Sequence, residues 1–327
     1  MSLSVNLIER LVVSDPFDDM WREVKNGLTS IPKMLNPKYF YDERGSQLFD
    51  DITRLPEYYP TRTETAILRS ESENLIEKYR PEALFELGSG SATKTQILLD
   101  EMERKGLLKG IGLFDINEEF LGQSATGFQE KYPQSTVRGY VGDFTKEFRF
   151  EGLGFFPTLY IFLGSTIGNM SQIESEKFLG RVADKMGDDD LFLLGVDLIK
   201  DENILHAAYN DSQAVTAEFN KNILSVINKK LNGDFNPNLF EHEAIYNSDE
   251  GRIEMYLVSL VEQEINLQGI DLKVNLSTGE KICTEISRKY TREKVESLLN
   301  SAGMEIAEWL TDEKSFFAVA LARLGSA

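Results

Sequence analysis

Between Arg62 and about Lys200 the apolar positions switch repeatedly between helical and strand-like spacing. Thr63 to Lys78 carries Ala66, Ile67, Leu68, Leu75 and Ile76 at helical intervals, which predicts a helix stopped by Pro81. Ala83 to Leu87 follows as a short buried strand, and Thr95 to Lys105 as a second helix with Ile97, Leu98, Leu99 and Met102 as its apolar positions. Further strands are expected at Gly110–Phe114, Thr136–Val141, Thr158–Leu163 and Leu191–Val196. Ser171 and Glu174 have capping-box spacing and predict the start of another helix. Strands alternating with helices are the mark of a parallel sheet with crossover connections.

After Lys200 the rhythm changes. Ala207 to Leu231 predicts one or two helices, and Leu239 to Val274 predicts strands, with Arg252 to Val258 alternating clearly. From Tyr290 the first pattern returns: Thr291 caps a helix that Gly303 ends, and two strands flank a turn at Thr311-Asp312-Glu313. The expectation is an α/β fold with five parallel strands closed by an antiparallel edge, seven in all. Residues 62–199 and 288–327 form that sheet, and an interleaved α+β part takes 1–61 and 200–287.

Composition narrows the function. Among 327 residues Asp plus Glu number 54 and Lys plus Arg 35, a net charge of −19 that disfavours binding to phosphate backbones, so no nucleic-acid partner is expected. The single cysteine, Cys283, excludes an intrachain disulfide and suits a reducing cytoplasm. It reads as an inert buried thiol. The apolar run Phe316 to Ala322 is far shorter than the roughly 18–20 residues that span a bilayer, and Met1 to Asn6 has no leader-like pattern, so no membrane association is expected. His206 and His242 stand far apart without metal-ligand spacing, so no metal is expected, and there is no Gly-x-Ser-x-Gly elbow for a serine nucleophile.

The sharpest local signal is Phe85-Glu86-Leu87-Gly88-Ser89-Gly90, a strand running into glycines before a helix. Such glycines allow a tight turn and a close ligand approach, although glycine turns also occur for packing. A dinucleotide fingerprint needs a third small residue where this chain has Thr93 and then Lys94, which weakens a NAD reading. Asp115 ends the next strand, where a carboxylate can accept ribose hydroxyls or else cap a helix starting near Asn117. Asp143 and Phe144 end the third, offering an acceptor for an adenine amino group and a ring to pack on the base. Three successive strand ends with ligand chemistry lie on the edge where such sheets bind nucleoside cofactors, and S-adenosylmethionine is the favoured one.

Pro37 to Asp50, running into Ile52 to Glu64, closely resembles the N-terminal signature of the L-histidine Nα-methyltransferases of ergothioneine biosynthesis. The resemblance continues through the Gly88 turn, Phe162 to Asn169, Asn247 to Met255 and Thr284-Glu285-Ile286-Ser287, and so covers nearly the whole chain. It implies a class I methyltransferase (Rossmann-like) sheet beside a substrate-binding domain, acting as a cytoplasmic monomer. The reaction implied is trimethylation of the α-amine of L-histidine to hercynine, with S-adenosylhomocysteine released.

Carried over residue by residue, the resemblance assigns Gly88, Lys94, Asp115, Asp143 and Phe144 to the cofactor. It assigns Asn169 and Tyr209 to the substrate's backbone, Glu285 and Ser287 to the imidazole, and Tyr58 and Met255 to the rest of the pocket. Tyr41 and Asn169 stand as catalytic, Tyr41 as a proton acceptor for the amine. Asn210 departs from members with Asp beside the tyrosine. Read without the resemblance, Tyr58 and Tyr59 are a packing wedge, Met255 is core filler, Glu285 is an edge charge, and the Asn247 to Glu250 turn is structural.

Overall fold

The computed structural model describes residues 7–11, 16–90, 92–146 and 150–325. Its strands are β1 (Ile8–Arg10), β2 (Lys33–Met34), β3 (Ala83–Leu87), β4 (Gly110–Asp115), β5 (Thr136–Val141), β6 (Thr158–Phe162) and β7 (Leu191–Asp197). They continue with β8 (Phe240–Asn247), β9 (Arg252–Ser259), β10 (Gln263–Leu267), β11 (Leu272–Leu276), β12 (Lys281–Arg288), β13 (Met304–Thr311) and β14 (Phe317–Leu324). The helices are α1 (Pro16–Thr29), α2 (Glu43–Arg54), α3 (Pro60–Tyr79), α4 (Thr95–Arg104) and α5 (Glu118–Lys131), then α6 (Gln172–Ala183), α7 (Glu202–Tyr209), α8 (Val215–Leu231) and α9 (Arg292–Asn300). None of the described helices is long and apolar enough to cross a membrane.

The chain forms two compact units: of the described residues, the first holds those in 7–11, 62–198 and 290–325, and the second those in 16–61 and 199–289. The first unit holds one eight-stranded sheet in the order β1-β5-β4-β3-β6-β7-β14-β13. Strands β1 to β7 of this sheet run parallel, and β14 and β13 close it antiparallel. This is the strand order of a class I methyltransferase with one strand added. β3 sits at the centre because all five of its residues are buried and its side chains feed both faces in alternation. Phe85 and Leu87 join Phe114, Phe162, Phe178 and Leu298 on one face; Leu84 joins Ile111, Leu113, Leu98 and Leu99 on the other.

Two expectations need correction. The sheet has eight strands, not seven, and the extra one, β1, takes Ile8–Arg10 out of the 1–61 segment and into the first unit. Ile8 lies across Gly139, where a Cβ would stand 2.5 Å from its Cδ1. A three-residue strand reading Ile-Glu-Arg carries too little apolar pattern to be seen in sequence. The absent leader was read from residues 1–6, which lie outside the described residues.

The second unit carries the sheet β2-β12-β9-β8 and the separate hairpin β10-β11. Asp42 caps α2 by accepting the Gly45 N–H at 2.8 Å, and the same oxygen accepts Asn222 Nδ2 from α8, also at 2.8 Å. The stretch Ala207–Leu231 resolves into two helices, because Asp211 accepts the backbone N–H groups of Gln213, Val215 and Thr216 and so starts α8 afresh. A register shift between Cys283 and Glu285 marks a bulge in β12.

Candidate active site

In the first unit, β3 delivers the chain into a turn where Gly88 has φ +71° and Gly90 φ +46°. Both angles are in the left-handed region that glycine adopts without a Cβ penalty. A side chain at Gly88 would come within 3.5 Å of Phe144, while nothing lies within 4 Å of a Cβ at Gly90, so the turn leaves an open cradle over its backbone. Asp115, at the end of β4, reaches under it: Oδ2 accepts the Gly90 N–H at 2.9 Å and Oδ1 the Asn117 N–H at 2.8 Å. Burial pushes this carboxyl above its ordinary range, against the pull of those N–H groups. The helix that follows is capped by Asn117, not by Asp115, which leaves Asp115 tied to the glycine turn.

Asp143 and Phe144 stand half-buried after β5. Asp143 Oδ1 accepts both the backbone N–H and the hydroxyl of Thr145. Phe144 is held edge-on by Phe162 and Phe178, with ring centroids at 5.4 and 5.9 Å. Lys94, just before α4, forms an ion pair with fully buried Glu64, whose oxygens also accept the Gly164 N–H at 2.9 and 3.0 Å. Glu86, on β3, is pushed up to about 8 by burial. Asn169 closes the short 3-10 turn Thr166–Asn169 after β6 and is half-buried.

In the second unit, the antiparallel register sets Met255 opposite Glu285 and Ile253 opposite Ser287. Directly opposed residues share a face, so Met255, Glu285 and Ser287 lie on the same side of the sheet. That face is buried at Ile282, Thr284, Ser287 and Lys289, a two-residue period that slips by one at the bulge. Ser287 Oγ is 2.8 Å from the Tyr209 hydroxyl at the end of α7, and Lys289 Nζ donates to both, at 2.8 and 2.9 Å. The ring of Tyr58 packs edge-on to Tyr209 at 6.4 Å, and Phe49 links Tyr58 to Tyr41 with centroids at 6.3 and 5.7 Å.

A polar chain behind this face fixes Tyr209. His242 Nε2 lies 2.8 Å from the Tyr209 carbonyl, which only accepts, so Nε2 carries the hydrogen. Its Nδ1 then accepts from Asn220 Nδ2 at 2.8 Å, and burial favours the neutral ring. Asn220 donates its second hydrogen to the Tyr256 carbonyl and accepts from Thr284 Oγ1 at the bulge. On the opposite face Glu254 gathers Tyr256, Arg252 and Asn247; burial alone would raise its carboxyl, and these donors bring it below the ordinary range.

Residues 20–324 match the family described as histidine-specific methyltransferase, SAM-dependent. The chain belongs to that family. It is 42% identical over 324 residues to the histidine N-alpha-methyltransferase of Mycolicibacterium smegmatis, covering 98% of this chain and 99% of the relative. It is 43% identical over 305 residues to that of Mycobacterium tuberculosis, covering 92% and 94%. A third relative, ergothioneine biosynthesis protein 1 of Schizosaccharomyces pombe, is 32% identical over 230 residues, 66% of this chain and 30% of the relative.

The family's cofactor fits the first unit on physical grounds. The open cradle at Gly88 and Gly90, the buried acceptor Asp115 and the ring of Phe144 all lie at the carboxyl ends of parallel strands. Of the expected substrate residues, Tyr58, Tyr209, Met255, Glu285 and Ser287 come together in the second unit, with Tyr41 joined through Phe49. Asn169 belongs to the first unit. Sequence reasoning missed Lys289, His242 and Glu64. The alternation Glu285, Ser287, Lys289 carried a signal for the first; nothing local marked the other two.

Proposed function

We propose that this chain transfers three methyl groups from S-adenosylmethionine to the α-amine of L-histidine, giving hercynine, as a monomer in the cytoplasm. The observation that carries the reading is the placing of Glu285, Ser287 and Met255 on one face of the second sheet with Tyr209 bonded to Ser287. That face offers a carboxylate acceptor, two hydroxyls and an apolar side chain, the set an imidazole-bearing amino acid needs. The names of the relatives, two histidine methyltransferases and an ergothioneine biosynthesis protein, point the same way.

In this reading Glu285 would accept the imidazole N–H and Ser287 would donate to the other ring nitrogen. Tyr209 and Asn169 would donate to the substrate carboxylate. The proton that the ammonium must lose before its lone pair is available would pass to solvent, with the Tyr41 hydroxyl accepting it as its own hydrogen is handed on. Gly88 would admit the cofactor to the backbone, Asp115 would accept its ribose hydroxyls, Asp143 and Phe144 would hold the adenine, and Lys94 would serve its carboxylate. When bound, the cofactor supplies an electrophilic methyl carbon on a sulfonium, and S-adenosylhomocysteine is the product. The protein's contribution is alignment and exclusion of water, not covalent chemistry. An apolar amino acid would cover the half-buried Glu285 without offering it an N–H, at a cost of roughly 1–3 kcal/mol, which is the source of discrimination.

The test is mass spectrometry of the protein incubated with S-adenosylmethionine and each of the twenty amino acids in turn. A histidine product heavier by three methyl groups is expected. A product from another amino acid, or from none, overturns the substrate assignment.

A further inference from the structure

Lys289 stands one residue beyond β12 and is 1% exposed. Its ammonium donates to Tyr209 Oη at 2.9 Å and to Ser287 Oγ at 2.8 Å, and it lies 4.8 Å from the centroid of the Tyr209 ring. The two hydroxyl oxygens are themselves 2.8 Å apart. The three groups form a closed triangle.

Counting hydrogens shows what the triangle can do. An ammonium has no lone pair, so both oxygens facing it must accept. Each hydroxyl brings a single hydrogen, and one of these two lies along the Tyr209–Ser287 side. Only one O–H is then left to point outward. A ligand that needs a donor from each hydroxyl must open that third side, and the two ammonium bonds are what hold the oxygens in place once it opens. We propose that Lys289 is a positioning residue for the substrate: it allows Tyr209 and Ser287 to donate at the same time, to the carboxylate and to the unprotonated imidazole nitrogen. The proposal rests on the histidine reading above. It also accounts for an ammonium on a buried face, where an apolar side chain of the same length would pack at lower cost. A hydroxyl that accepts from a cation is a stronger donor in turn.

Binding of L-histidine by calorimetry, in full-length protein saturated with S-adenosylhomocysteine, tests this. The parent's binding is read first, and a parent that binds no histidine defeats the histidine reading before any variant is made. Lys289→Met is expected to weaken histidine binding about tenfold or more while leaving S-adenosylhomocysteine affinity unchanged, and Lys289→Arg to recover part of the loss. Unchanged histidine affinity, or an equal loss for both ligands, overturns the proposal. A second measurement leaves Lys289 intact. The losses caused by Tyr209→Phe and Ser287→Ala should multiply in the double variant, since each hydroxyl serves a different ligand group. A double variant no weaker than the worse single means that one hydroxyl is spent on the other, and the proposal fails.

Discussion

Glu64 occupies the space that a side chain at Gly195 would need: a Cβ there would stand 1.9 Å from Glu64 Oε1. Glu64 is fully buried and binds the Lys94 ammonium and the Gly164 N–H, so this glycine in β7 is a condition for Lys94 being where it is. Gly195→Ala should therefore destabilise the fold by about 1–3 kcal/mol, the usual range for overpacking, and weaken S-adenosylmethionine binding through Lys94. Urea denaturation and cofactor titration check both effects. A variant with parental stability would show that Glu64 can move aside freely.

Asp115 presents two acceptors, one to Gly90 and one to Asn117. In Asp115→Asn one of these N–H groups must face an amide NH2 group, and the charge is lost. The expected result is a cofactor affinity lower by about tenfold or more with the fold intact, measured by calorimetry and circular dichroism.

Glu86 gives the first unit a pH dependence. In the folded chain burial pushes it up to about 8, against an ordinary value of 4.5. Below 4.5 both states hold the proton and Glu86 costs nothing. As pH rises towards 8 the unfolded chain ionises first, and stability falls by about 1.4 kcal/mol for each pH unit crossed. Denaturation of ligand-free protein at pH 5, 6.5 and 8 should show a declining stability that Glu86→Gln flattens. Parallel profiles for parent and variant would place the pH dependence elsewhere.

Glu285→Ala should lower kcat/KM for L-histidine by about tenfold to a hundredfold and narrow its advantage over other amino acids, because the imidazole N–H loses its acceptor. Competition assays with mixed amino acids measure the selectivity directly. Unchanged turnover and selectivity would return Glu285 to the role of an edge charge.

Most of the first unit was legible in the sequence, since buried parallel strands read as short apolar runs and helices as a longer period. Ala83–Leu87 and Leu191–Asp197 are of this kind. β1 was not, because three residues at a polar edge hold no period. The glycine turn after β3 and the carboxylate that ends β4 were legible because turn chemistry after a strand is local, as at Gly88 and Asp115. The buried supports were not: Glu64 meets Gly195 across more than a hundred residues, and His242 reaches Tyr209 through a backbone carbonyl that no sequence pattern encodes. Cys283, read as an inert buried thiol, is only half-buried, and its partial burial pushes the thiol up to about 11.

The bulge in β12 divides that strand by duty. Ile282 and Thr284 face inward, Thr284 tethered to Asn220; past the slip Glu285 turns to Met255, whereas an unbroken ladder would have set it against Glu254 and its Arg252 partner. Packing is thus assigned to the first half of the strand, and past the slip Glu285 and Ser287 share the face that carries Met255. New side chains can be tried at the second half while the tether in the first stays as it is. On the proposed histidine reading, substrate preference is therefore free to drift by replacements within one short stretch, without reworking the sheet of the first unit.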